Sequence, residues 1–242
     1  MNEFKVRKAV LKNGEEITGM IVPIYPAKVL LQTDEICLEL SETDIQSLDG
    51  KKDFRSLIKP YDRATFEAMI IHQYNEDGSS VSLNKMRLVN TSDQVLGRVR
   101  FMHTSSGSMT KELEEQFNRS EHFDVFGHLL PVTIDERLEN GWKYSVELPI
   151  PVAPGEAYEI TCKETWSKWA EREGDHWVAR HYSSCTGDAI YTLMLILPRG
   201  AEFSSATPQP LRQFDFNGKP TVTWKRYMLR SEAVTFEATY KL

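Results

Sequence analysis

Short runs in which apolar and polar residues alternate recur along most of this chain, and they predict strands. "KVRKAVLKNGEEITGMIV" holds two such runs around Asn13-Gly14. Asn-Gly accepts the positive φ angles of a type I′ turn, so the pattern predicts a hairpin. Gly19, inside the second run, predicts a bulge or bend. "KVLLQTDEICLEL" predicts a second hairpin with Asp34-Glu35 near its tip. "SETDIQSL" reads as a polar turn or a single helical turn with Ile45 and Leu48 facing inward.

Gly50, Pro60 and the mixed charges of "DGKKDFRSLIKPYDRAT" predict a connecting segment. Alternation resumes in "FEAMIIHQY", "VSLNKMRLVN" and "VLGRVRFMH", with Asp77-Gly78 as a further hairpin signal. "TSSGSMTKELEEQFNRS" then interrupts, and Leu113 and Phe117, one helical turn apart, predict a short amphipathic helix behind a Ser or Thr cap. After it come "HFDVFGHLLPVTI", "WKYSVELPIPV", "AYEITCKETW", "HWVARHYSS", "AIYTLMLILP", "FNGKPTVTWKRYML" and "AVTFEATYKL". Strands at roughly 10–15-residue spacing, broken by Gly, Pro and Asn, predict a β-sandwich. "YTLMLILP", apolar almost throughout, predicts a central strand, and the alternating "VTFEATYKL" a half-buried one.

The expectation is therefore a mainly β chain in three parts: a small barrel over 1–50, a linker over 51–65, and an antiparallel sandwich with one short helix over 66–242. The first part resembles the Sm-like and SH3-like small β-barrels. "VLKNGEEITGMI" followed by "KVLLQTDEICLELSETDIQSL" carries the likeness: a strand, a glycine turn, a bent strand with a central Gly, and a hairpin closing on Asp44-Ile45. Many such barrels bind RNA or peptides. Residues 1–50, however, hold five Lys or Arg against nine Asp or Glu. Clustered cations drive phosphate binding, so nucleic acid is an unlikely partner for this surface.

Charge and composition narrow the class further. A net charge of −6 and 26% charged residues describe a globular chain without a basic footprint. No run of about 18 apolar residues predicts a membrane span, and "MNEFKVRKAVLKNGEE" lacks the apolar centre of a signal peptide. Three widely spaced cysteines, Cys37, Cys162 and Cys185, without a C-x-x-C, fit a reducing cytoplasm. No cofactor motif occurs: there is no P-loop, G-x-G-x-x-G, H-E-x-x-H or G-x-S-x-G. "TSSGSMT" lacks the Lys of an anion-cradling loop and reads as a connection. "DERLEN" reads as a solvated turn. His72 and His103 fall in strands compatible with one sheet, and His122 and His128 read as strand-edge residues.

Residues 165–185, "TWSKWAEREGDHWVARHYSSC", concentrate three Trp, two His and one Cys. A β-hairpin with its tip at "EREGD" and a helix over "KETWSKWAERE" both fit the pattern. As a strand, 176–184 puts Trp177, Ala179, His181 and Ser183 on one face and His176, Val178, Arg180 and Tyr182 on the other. His181 and Cys185 then stand about 13 Å apart, too far for one zinc without a sharp bend. Three functional readings follow. Trp166, Trp169, Trp177, Arg180 and Tyr182 at a sandwich edge suit a binding surface for a protein partner or ligand, which makes the chain a non-enzymatic binding or adaptor protein. His176, His181, Cys162 and Cys185 are the candidate ligands of a metal-assisted hydrolase. RNA binding by the barrel is the third.

Overall fold

The computed structural model describes residues 6–25, 28–54, 66–104, 110–184, 189–229 and 232–242. The chain is mostly β, 66% strand and 5% helical, with one α-helix among the described residues. No helix among them is long and apolar enough to cross a membrane.

Turn chemistry sets the pairing. β1 (Val6–Leu11) and β2 (Glu16–Tyr25) are joined by a loop in which Gly14 N–H donates to Leu11 O (2.9 Å) and Leu11 N–H to Glu15 O (2.8 Å). Gly14 sits at φ +88, whereas Asn13 keeps a negative φ. The turn is therefore a three-residue loop with glycine in the left-handed position, and not the type I′ turn that Asn-Gly suggests. Asn75 to Ser79 repeats the arrangement with Gly78 at φ +81. The two-residue I′ turn occurs instead at Asn217-Gly218, with φ values of 55 and 76. Gly19 makes no bulge: β1 and β2 stay in register there, and the missing Cβ would lie 2.5 Å from the Gln32 carbonyl oxygen. Its role is to let the neighbouring strand approach.

β3 (Lys28–Gln32) and β4 (Cys37–Ser41) form the second hairpin, and a 3-10 turn (Glu42–Asp44) capped by Ser41 leads into β5 (Ile45–Leu48). The five strands make one sheet in the order β4-β3-β2-β1-β5. One of its faces encloses a separate core of Ala9, Leu11, Ile17, Val29, Leu31 and Leu48 with their neighbours. The other face of β3 is buried as well, which explains why "VLLQ" does not alternate.

The rest of the chain supplies β6 (Phe66–Tyr74), β7 (Ser80–Val89), β8 (Leu96–Thr104), α1 (Lys111–Phe117), β9 (Glu121–Phe123), β10 (Val132–Leu138), β11 (Gly141–Val152) and β12 (Ala157–Trp166). It continues with β13 (Ala170–Glu173), β14 (His176–Ser184), β15 (Ala189–Ile196), β16 (Glu202–Thr207), β17 (Arg212–Asp215), β18 (Pro220–Met228) and β19 (Ala233–Lys241). Seven strands build a large sheet in the order β17-β18-β15-β6-β7-β12-β9. β15 runs parallel to β6, while its other neighbour, β18, is antiparallel. Two smaller sheets, β10-β11-β8 and β13-β14-β19-β16, share a single apolar core with the inner face of the large one. Thr110 caps α1, and Phe117 plugs that core. "DERLEN" is not a turn: Asp135 to Leu138 belong to β10, with a register shift between Ile134 and Glu136.

This five-stranded sheet packs on the outer face of the large sheet. Val22, Leu30 and Cys37 bury Ile190 and Tyr227 there. Gln32 fixes the contact. Its Nε2 donates to Tyr227 O and its Oε1 accepts from Tyr227 N–H, both at 2.8 Å. β17 pairs with β18 from Pro220 to Thr223, so among the described residues its pairing stops short of Tyr227. The Gln32 amide, itself a donor and acceptor pair, takes that strand's place. Lys225 reaches Glu39 (3.2 Å), and Arg226 donates to Thr33 O (3.4 Å).

Replacing Gln32 with Leu keeps the volume but leaves two buried backbone groups without partners. The expected loss is about 2–6 kcal/mol, since each buried group that loses its hydrogen bond costs roughly 1–3 kcal/mol. Urea unfolding followed by Trp fluorescence, which reports only the sandwich, and by far-UV circular dichroism, which reports both parts, should cease to coincide in this variant.

Candidate functional site

The Trp- and His-rich stretch folds as the hairpin of β13 and β14, with Gly174 (φ +64) and Asp175 at its tip; the helical alternative does not occur. Its N-terminal end is anchored to another turn. Trp169 N–H and Ala170 N–H both donate to Gly78 O at 2.9 Å. A Cβ on Gly78 would stand 2.6 Å from the Trp177 ring and 2.7 Å from Ala170 O. Only glycine allows the β6–β7 turn to lie flat on this hairpin.

The aromatic residues then turn inward. Trp166 is 1% exposed, and Trp169 and Trp177 are half-buried against the main core. Trp166 therefore offers no surface to a partner. Tyr182, 37% exposed, and Arg180 lie on the outer face of β14. Arg180 is committed to three carboxylates: Glu173 (2.7 Å), Glu237 (2.9 Å) and Glu171 (3.1 Å). The five residues do not form one patch.

Inside, the rings make a continuous chain across the seam between the two smaller sheets. Trp142 stacks on His103 (centroids 5.0 Å apart), His103 on Trp166 (5.5 Å), Trp166 on Trp169 (4.6 Å) and Trp169 on His72 (5.9 Å). His72 meets His181 at 2.8 Å, Nε2 to Nδ1, and His181 Nε2 lies 3.4 Å from the Tyr191 hydroxyl. His72 and His103 thus belong to different sheets, with Trp166 and Trp169 stacked between them. Alternation within "FEAMIIHQY" does place His72 on the same face as Ala68, Ile70 and Tyr74, all buried, so its burial was readable in the sequence. Its partner was not, because β6 and β14 belong to different sheets.

Burial governs the titration of these groups. It lowers the His103 and His122 pKa values to about 4 and, helped by the charge on His103, that of His181 to about 3. His72 is lowered in the same direction by burial, then by His181. Burial raises the pKa of Glu164, and the hydrogen bond from Asn84 (2.9 Å) recovers part of the shift. The Cys162 thiol is pushed far up by burial and by Glu164, and the Cys37 thiol up to about 12 by burial. Neither sulfur is a nucleophile at neutral pH.

The four proposed metal ligands do not assemble among the described residues. His176 pairs with Asp175 at the hairpin tip, His181 with His72, and Cys162 lies 3.9 Å from His122 Nδ1. Cys185, like most of "TSSGSMT", lies outside the described residues. No three His, Cys, Asp or Glu side chains among the described residues converge as metal ligands. His128 is a surface residue held by Asp124 (2.9 Å), whereas His122, in the edge strand β9, is fully buried.

No family model and no curated protein matches this chain. Among solved structures it is similar to an M1 zinc metallopeptidase from Deinococcus radiodurans, with 12% identity and a TM-score of 0.41. A mutant of a two-domain M1 zinc metallopeptidase bound to L-arginine gives 12% and 0.40. In both cases the likeness covers 73% of this chain and 41% of the other. At these values it transfers no activity and no ligand.

The buried histidines set an acid limit. Free histidine titrates near pH 6.5, so below that value the unfolded chain takes up protons that the folded chain refuses. Stability is full above about pH 6.5 and falls as pH drops toward 4. Glu164, protonated more readily when folded, works in the opposite sense and reduces the slope. The four histidines set its upper limit at roughly 5.6 kcal/mol per pH unit, four protons at about 1.4 kcal/mol each. Urea melts between pH 7.5 and 4.5 measure it, and a His72→Leu/His181→Phe double variant should flatten the slope by about two protons.

Proposed function

We propose that this protein is a non-enzymatic binding or adaptor protein that engages a protein partner through the uncovered part of the outer face of its seven-stranded sheet. The carrying observation is the contrast between the two outer faces of the sandwich. On the four-stranded sheet, the outward residues of β14 and β19 include Arg180, Tyr182, Thr235, Glu237 and Thr239, a polar and ion-paired surface. On the seven-stranded sheet, Met69, Val81 and Leu83 are 47%, 39% and 43% exposed. Ile71 and Met194, half-buried, lie beside Leu83 in one cross-strand row. A contiguous apolar patch on a sheet face that is otherwise well packed favours an interface.

The N-terminal unit is read as an SH3-like or Sm-like barrel, an assignment supported by its strand order and by the pairing of β1 with both β2 and β5. In this reading the barrel is a docking module and not an RNA binder. Three of its cations are already engaged: Arg7 with Asp49, Lys8 with Glu16 and Lys28 with Glu39. A cytoplasmic setting fits Cys37 and Cys162, which are free thiols buried in different cores.

A photoreactive residue at position 83 tests the reading in the native host. One discrete protein adduct is expected at position 83 and none at position 182. Leu83→Lys with Met69→Lys should abolish the adduct formed from a neighbouring probe at position 81, while changing stability by less than about 1 kcal/mol, as exposed sites allow. Adducts at 182 alone would return the interface to the other sheet.

A further inference from the structure

The partner's chemistry can be read from the layout of this face, on the premise that the face is an interface at all. Cross-strand registers place its residues in rows. The row under the barrel contains Tyr227, Ile190, Glu67, Arg87 and Glu159. Two rows further along the strands come Arg212, Thr223, Met194, Ile71, Leu83 and Lys163. The apolar centre of this second row is thus continuous with the surface the barrel already covers, and Met69, between the two, links them.

The charges on the face are not equivalent. Lys85 pairs with Glu159 (3.3 Å), Lys225 with Glu39 (3.2 Å) and Arg87 with Glu67 (3.9 Å). Arg212 and Lys163, the two ends of the apolar row, are exposed and make no ion pair among the described residues. Glu121 stands beside Lys163 on β9 without bonding to it. A chain of net charge −6 therefore places a cation without an ion pair among the described residues at either end of this apolar row, Arg212 with no carboxylate opposite it on β18 and Lys163 with Glu121 alone across the ladder. Five interstrand spacings separate those ends, about 24 Å at roughly 4.8 Å each.

The geometry points to an amphipathic protein segment as the occupant, with apolar side chains over Met194, Ile71 and Leu83 and carboxylates at its two flanks, on Arg212 and Lys163. A flank-to-flank span of about 24 Å corresponds to roughly 16 residues as a helix at 1.5 Å per residue. The segment abuts the barrel, so the barrel edge limits how far it can shift along the strands. Charge at the flanks orients it and selects against basic segments, while the apolar centre supplies affinity.

Selection of displayed random 16-residue peptides on the full-length protein tests this. Enriched peptides should carry a central apolar cluster between Asp or Glu flanks, and Leu83→Lys should weaken them at least tenfold. An Arg212→Glu/Lys163→Glu double variant should weaken them tenfold or more and, in a fresh selection, enrich Lys or Arg flanks. Thermal melts confirm that each variant is folded. Peptides that need Leu83 but ignore the double charge reversal overturn the acidic-flank inference and leave the binding face standing. Peptides indifferent to Leu83→Lys overturn the face itself. A dimer in sedimentation velocity that dissociates on Leu83→Lys replaces the peptide by a second copy of the chain. Leu83-dependent cosedimentation with phosphatidylserine vesicles replaces it by a bilayer, and either result overturns the proposal.

Discussion

A seven-stranded sheet has two faces, and strict alternation along its strands makes both of them answerable for burial. That constraint organises the molecule. The inner face is too wide for either smaller sheet, so two sheets cover it side by side and a seam is left between them. The outer face receives the five-stranded N-terminal sheet at one end only. β15 shows the consequence in a single strand: Ala189, Leu193 and Leu195 are fully buried toward the core, Ile190 is buried by the N-terminal sheet, and Thr192 and Met194 beyond its reach are half-exposed.

The seam is filled with large rings because the gap between two sheet edges is broad and irregular, and aromatic side chains cover the most area for the fewest rotors. The histidines among them behave as aromatic fillers with a hydrogen-bonding handle. If His181 donates through Nε2 to Tyr191, its Nδ1 must accept from His72 Nε2–H, which leaves His72 Nδ1 as an acceptor without a partner among the described residues. The Trp169 indole N–H and the Tyr74 and Tyr240 hydroxyls are buried in the same condition. Each carries a desolvation cost, and none can accommodate a charged neighbour cheaply. Protonation of the buried histidine rings is what makes the seam the acid-sensitive part of the core.

Much of this was legible locally. The hairpin tip at Gly174, the strand over 176–184 with its two faces, the Thr-capped helix ending at Phe117 and the inward Ile45 and Leu48 all follow from short-range pattern. What pattern does not carry is which sheet a strand joins. Alternation shows that His72 and His181 each face inward; it is silent on the fact that they face each other. The parallel neighbour of β15, β6, is over a hundred residues away in sequence, so the row Met194–Ile71–Leu83 exists only once the sheet is assembled. The same holds for Trp166, whose position in "TWSKW" fits an edge as well as a core until the β6–β7 turn is laid against it. The type of the first hairpin turn escaped for a subtler reason: Asn13-Gly14 has the I′ composition, but one extra residue in the loop shifts the left-handed position to Gly14 alone.

Chemistry is distributed unevenly between interior and surface. Catalysis needs a titratable or nucleophilic group that substrate can reach and whose charge can change during turnover. Here His72, His103, His122, His181, Glu164 and Cys162 lie in the interior and their proton affinities are shifted first by burial, whereas at the surface Asp49, Asp77 and Asp175 are shifted first by hydrogen bonds. Many charged groups at the surface are paired with each other, as Arg180 is with three carboxylates. The accessible surface also includes an apolar row on one sheet face with a cation at either end. Recognition, which needs only surface that loses water and charges that find partners, can use such a face directly.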